Sequence, residues 1–118
     1  MTPTLYGIPN CDTVKKARGW LADAGVAVDF HDYKKRGPDP GLLGGWADRV
    51  PWETLLNRSG TTFRKLPDSD KADLTRTSAI ALMAAHPSAI RRPVLDTGET
   101  LLVGFAPDAY ALAFPRKD

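Results

Sequence analysis

Thr4-Leu5-Tyr6-Gly7-Ile8-Pro9-Asn10-Cys11-Asp12-Thr13-Val14-Lys15-Lys16-Ala17 is the stretch that decides the fold. Its first five residues are short, β-branched or aromatic, and read as a strand that stops at Pro9-Asn10. From Asp12 to Ala24 the apolar residues Val14, Ala17, Leu21 and Ala24 recur at helical spacing. Lys15, Lys16 and Asp23 fall on the other face, and Gly25 supplies the stop. Val26 to Tyr33 returns to strand character, with Val26, Val28 and Phe30 alternating against Ala27, Asp29 and His31. Strand, helix and strand within about thirty residues make a βαβ unit, so the two strands are predicted to run parallel.

Outward from this unit the pattern changes. Lys34 to Pro40 is a basic turn, followed by Leu42, Leu43, Trp46 and Val50 at helical spacing. Pro51 to Leu56 reads as a new short helix with proline at its first position. Asn57 to Lys65 reads as a polar, arginine-bearing loop. A longer helix is predicted from Ala72 or Thr77 to His86, ended by Pro87. Val94-Leu95-Asp96 and Thr100-Leu101-Leu102-Val103 are short strands joined by Thr97-Gly98-Glu99, which suits a hairpin. A last helix runs from Pro107 to Ala113. Two parallel strands plus a hairpin, with helices between, predict an α/β domain: a thioredoxin-like, mixed four-stranded sheet (βαβ…ββα) with an inserted helical segment. Residues 1–118 are read as a single domain, with the insertion at about 38–88.

Composition narrows the classes. The chain has 118 residues, 42% hydrophobic and 25% charged, which suits a soluble globular protein able to bury a core without disulfides or metal. Sixteen Lys and Arg against fourteen Asp and Glu leave +2, so charge gives no argument for nucleic acid. No basic region precedes an apolar run at the N-terminus, so no signal peptide is expected. No stretch reaches the ~18 apolar residues of a membrane helix. The single cysteine excludes an internal disulfide and a multi-cysteine metal site, and points to a reducing, cytoplasmic location.

That cysteine, Cys11, falls between the first strand and the first helix. A helix N-terminus presents unpaired N–H groups and about half a positive charge, which stabilise an anion. A thiol there can ionise near neutral pH, and the thiolate is the nucleophile. Lys15 and Lys16 add positive potential and Asp12 opposes it. The plainer alternative is a small buried hydrophobe. Cys11-Asp12-Thr13-Val14 lacks a second thiol, so redox chemistry here needs an external thiol to finish its cycle. Arg58, Arg64, Arg91 and Arg92 form a second group: a guanidinium fork binds carboxylate or oxyanion, or else these side chains are simply a solvated face. Pro93 stands directly before the hairpin strand, where a cis bond would turn its loop toward Cys11; the sequence leaves the isomer open. His31 and His86 have no partners at metal-ligand spacing, so no metal is expected. Trp20, Trp46 and Trp52 read as core rather than a base-stacking platform.

Tyr6-Gly7-Ile8-Pro9-Asn10-Cys11-Asp12-Thr13-Val14-Lys15-Lys16-Ala17-Arg18 resembles the ArsC family of arsenate reductase-like proteins, with its YffB-type and Spx relatives. His31 to Lys35, Leu55 to Leu66 and His86 to Val94 agree, so the resemblance spans nearly the whole chain; the Asn-Cys-Asp-Thr form is similar to the YffB-type branch. The resemblance implies a nucleophilic cysteine at Cys11, with Arg58 and Arg92 matching two of the three arginines that hold the oxyanion in arsenate reductases. Asn10, Thr13, Lys15 and Pro93 become supporting residues. The third arginine is missing from Val103-Gly104-Phe105-Ala106-Pro107, which removes one charge-assisted clamp worth ~1.5–3 kcal/mol. Val14 stands where regulatory relatives carry a second cysteine.

The expected activity is thus a glutathione-dependent thiol oxidoreductase. Cys11 would be its nucleophile, and glutathione a co-substrate rather than a bound cofactor. Glutaredoxin or a protein disulfide are the expected further partners. The alternatives are arsenate reduction with an incomplete arginine set, and a non-enzymatic regulator that binds RNA polymerase.

Overall fold

The computed structural model describes residues 2–115. Four strands form one mixed sheet: β1 (Thr4–Gly7), β2 (Asp29–Asp32), β3 (Val94–Asp96) and β4 (Leu101–Val103). Their order is β2-β1-β3-β4, with β1 and β2 parallel and the β1–β3 and β3–β4 pairs antiparallel. Helix α1 (Asp12–Asp23) makes the crossover between the parallel strands. This is the expected thioredoxin-like arrangement. The chain up to Arg36 and the chain from Arg92 onward make one compact unit; Gly37–Arg91 makes the second.

The first unit is built on Leu5, Ala17, Leu21, Leu95 and Tyr110, all buried. Val14, Ala17 and Leu21 give α1 its buried stripe. The helix ends in a Schellman closure, in which Gly25 takes φ +73 and donates to the Ala22 carbonyl at 3.1 Å. The Val26 N–H donates to the Leu21 carbonyl at 2.9 Å. That bond explains a shorter second strand than the 26–33 read from alternation. Val26 and Val28 pack on the core, but pairing with β1 begins at Asp29. Helix α7 (Pro107–Ala113) supplies Tyr110, whose ring meets Trp20 and Phe105 edge-on, with centroids 5.5 and 4.9 Å away.

The second unit is helical. Helix α2 (Pro40–Arg49) starts on Asp39, whose Oδ1 accepts from the Leu42 N–H at 2.8 Å, with Pro40 in the first turn. Helix α6 (Arg76–Ala85) starts on Thr75, which shares a reciprocal cap with Ser78. Leu43 and Trp46 of α2 and Ala79, Leu82 and Met83 of α6 are buried, and the two helices pack together. Arg76 reaches back to Asp48 at 2.6 Å and to the carbonyls of Ala47 and Gly44 in the second half and middle of α2. Three single-turn helices lie between, α3 (Trp52–Leu55), α4 (Thr61–Arg64) and α5 (Asp68–Lys71), and a 3-10 turn covers Pro87–Ala89. The segment from Asn57 to Lys65 is therefore not wholly loop, because Gly60 starts one helical turn that buries Phe63. Pro51 stands one residue before α3 rather than inside it. Among the described residues no helix is long and apolar enough to cross a membrane.

Candidate active site

Three chain segments converge at the C-terminal end of β1, and the register explains why. β1 runs directly into the turn that carries Cys11, whose N–H donates to the Ile8 carbonyl at 3.3 Å. Val94 lies opposite Tyr6 in the antiparallel β1–β3 pair, so Arg92 and Pro93 are delivered just past that end of β1. Asp32 lies beside Gly7 in the parallel pair. One further bond, Tyr33 N–H to the Gly7 carbonyl at 3.2 Å, carries the ladder to Tyr33.

Cys11 is the residue on which α1 starts, with extended backbone (φ −101, ψ 125) and a half-buried side chain. Its carbonyl accepts the first helical bond, from the Lys15 N–H at 3.0 Å. The helix is held close to the strand by the absence of a side chain at Gly7. A Cβ there would lie 2.9 Å from Cγ2 of the buried Val14. The sulfur closes no capping hydrogen bond of ordinary geometry. It nonetheless faces a set of donors that favour the anion.

Burial is the largest single influence on the thiol and pushes its pKa up. The Val14 N–H, the Arg92 side chain, the Thr13 N–H and the Arg92 charge all act the other way, and together they prevail. The thiol is held below its ordinary value. Arg92 precedes a cis peptide bond to Pro93, whose carbonyl accepts from the Gly104 N–H at 2.8 Å.

The expected site residues divide between the two units. Cys11, Asn10, Thr13, Lys15, Arg92 and Pro93 belong to the first. Asn10 and Thr13 are exposed, and Thr13 contributes through its backbone; the Lys15 side chain is exposed too. Arg58 belongs to the second unit, where its guanidinium stacks 5.9 Å over the Trp52 ring. Arg91 is also in the second unit, and its Nε donates to the Thr54 carbonyl at 3.2 Å. Arg64 ends α4, and its carbonyl accepts from Lys71 Nζ at 3.2 Å.

Tyr33 is the residue that sequence reasoning missed. It is fully buried, and both the Arg92 guanidinium and the charge at Cys11 act on its hydroxyl. Burial dominates and keeps the phenol protonated far above its ordinary range. The two histidines stand in structural surroundings. His31 lies against Tyr6 with centroids 4.9 Å apart, and the His86 N–H closes the end of α6. Among the described residues, no three His, Cys, Asp or Glu side chains gather where they could hold a metal ion.

The arrangement therefore supplies a polarised thiol, a guanidinium and a neutral hydroxyl donor at one strand end. The sequence model of the ArsC family matches residues 6–113. The solved structure of a YFFB protein is 58% identical and superposes with a TM-score of 0.92, covering 95% of this chain and 98% of its own. An uncharacterized protein of Haemophilus influenzae is 40% identical over 111 residues, 94% of this chain and 97% of that protein. The global transcriptional regulator Spx of Streptococcus mutans is 27% identical over 117 residues, 96% of this chain and 83% of that protein.

Proposed function

From the premise that this chain belongs to the ArsC family, we propose that it is a glutathione-dependent thiol oxidoreductase of the cytoplasm, with Cys11 as its nucleophile. One observation carries the reading: the only thiol of the chain sits at a helix start, beside Arg92, and is held below its ordinary pKa.

In the first step the Cys11 thiolate attacks one sulfur of a glutathione mixed disulfide. A new S–S bond joins Cys11 to the glutathionyl group, and the old S–S bond breaks. The departing thiolate leaves with the electron pair and takes a proton from solvent. In the second step a glutathione thiolate attacks the glutathionyl sulfur, releasing glutathione disulfide and the Cys11 thiolate. The second thiol must come from solution, because the chain has no other cysteine. Arg92, with Arg58 as the family resemblance suggests, would hold a carboxylate of the glutathionyl group. Asn10, Thr13, Lys15 and Pro93 would shape the loop around the sulfur. Glutaredoxin or a protein disulfide are the partners that fit this chemistry.

Exposure to glutathione disulfide is expected to add one glutathionyl group to the wild type, read by intact mass, and none to Cys11→Ser. An adduct that persists in Cys11→Ser sinks the assignment. The pH midpoint of Cys11 alkylation should lie below that of an ordinary thiol and rise in Arg92→Ala, because removing the guanidinium removes two of the influences that favour the anion. An ordinary midpoint in the wild type means a merely structural cysteine.

A second reading has its own support in the likeness to Spx, a transcriptional regulator. On it the chain would dock on RNA polymerase without using its thiol. Co-purification with the polymerase that survives Cys11→Ala would favour it. Arsenate reduction is a third reading, weakened by the lack of an arginine between Val103 and Pro107; turnover of arsenate above the glutathione-only rate would restore it.

A further inference from the structure

Two tyrosine hydroxyls of the first unit, on Tyr33 and Tyr110, are buried with no hydrogen-bond partner. A buried unpaired donor is destabilising, so each needs a reason. Their surroundings separate them. Tyr110 lies among Trp20, Phe105 and the aliphatic core, and burial alone acts on its hydroxyl. Tyr33 lies where the Arg92 guanidinium and the charge at Cys11 both reach it. Arg92 leans on the Tyr33 oxygen without completing a hydrogen bond of ordinary geometry. A guanidinium also has donors only, so the phenolic proton would stay without an acceptor even if that bond closed. A dry, neutral O–H is thus kept beside the nucleophile and beside a cation.

We propose that Tyr33 is a specificity-determining residue of the Cys11 site. With Arg92 it presents two donors to a carboxylate carried by the molecule that Cys11 attacks. The proposal rests on Cys11 being the nucleophile, and it names which electrophiles that thiol prefers. A carboxylate arriving there accepts the stranded proton and faces the guanidinium at once, whereas a neutral electrophile of the same size gains much less. Burial keeps Tyr33 neutral and the guanidinium of Arg92 supplies the charge that favours the thiolate, so the role of Tyr33 is separable from activation of the nucleophile.

Iodoacetate and iodoacetamide test this directly. Each forms the same S–C bond to Cys11 with departure of iodide, and they differ in carrying a carboxylate or an amide. The ratio of the two alkylation rates in the folded wild type, divided by the same ratio in the urea-unfolded chain, is expected to favour iodoacetate. In Tyr33→Phe the preference should fall about tenfold, the effect of one hydrogen bond to a charged group. The pH profile with iodoacetamide should stay in place, and the urea midpoint should be no lower, since the lost hydroxyl had no partner.

A Tyr33→Phe ratio equal to that of wild type overturns the proposal. So does a ratio that falls together with a shifted pH profile, because Tyr33 would then act on the thiol. A wild type that shows no preference over the unfolded chain, or a thiol that neither reagent modifies, overturns it whatever the variant does. Failure to form a glutathione adduct alongside an intact iodoacetate preference would remove only the glutathione reading.

Discussion

The long helices of the two units, α1 in the first and α2 and α6 in the second, begin in contrasting ways. In the second unit α2 starts on Asp39 and α6 on Thr75, each with a side-chain oxygen accepting a backbone N–H of the first turn. In the first unit α1 starts on Cys11, whose sulfur closes no such bond although the N–H groups of Val14 and Thr13 face it. A cap of the first kind stabilises by about 1 kcal/mol. At α1 the same donors are left to favour a thiolate. The lesson is that α1 is held by its packing and not by its N-terminus, which leaves that N-terminus available for chemistry.

The contrast can be broken most forcefully at Leu5, fully buried in the cluster that α1 packs on. Leu5→Ala is expected to lose about 2–5 kcal/mol in urea unfolding, and a loss below about 1 kcal/mol would mean that packing is not what holds α1. A smaller effect is expected at the closed caps. Thr75→Ala should lose about 1 kcal/mol with the alkylation profile of Cys11 unmoved. A shift of that profile would show that the two helix starts are not independent.

The smallest effect sharpens the contrast. Cys11→Ser puts a good capping oxygen on α1 and should leave stability unchanged or raised by up to about 1 kcal/mol. The pH of measurement matters. A thiol with a lowered folded pKa stabilises the fold above the ordinary thiol pKa, and that contribution is lost as pH falls through the folded value. Serine should therefore compare best with cysteine under mildly acid conditions, and a clear loss there would make Cys11 a structural residue.

Much of this was legible in the sequence. Val14, Ala17 and Leu21 set the buried stripe of α1 and Gly25 its end, because both signals are local. Val94 to Val103 carries the pattern of a hairpin, and Pro107–Ala113 has in the sequence the bounds that the helix has in the fold. The single turns at Thr61–Arg64 and Asp68–Lys71 escaped because four residues carry no periodicity. The start of β2 was misplaced because Val26 and Val28 alternate like strand residues, yet the Val26 N–H is already bonded to Leu21. The position of Cys11 at a helix start was plain from the strand–turn–helix order. Tyr33 was not, since beside Lys34 and Lys35 it looks like the frayed end of a strand. Its place at the site depends on the register of β2 against β1, and the guanidinium that acts on it lies 59 positions further along the chain.

Gly7 carries a consequence for how this protein can vary. It contacts no substrate and has no chemistry of its own, yet a methyl group in its place would press 2.9 Å from the fully buried, β-branched side chain of Val14. Val14, the residue that would be displaced, is also the one whose amide favours the thiolate most among the groups around it. Drift at position seven would therefore alter reactivity while every polar residue of the site stayed the same. An engineer grafting this thiol onto another scaffold would have to transplant that missing methyl along with the cysteine.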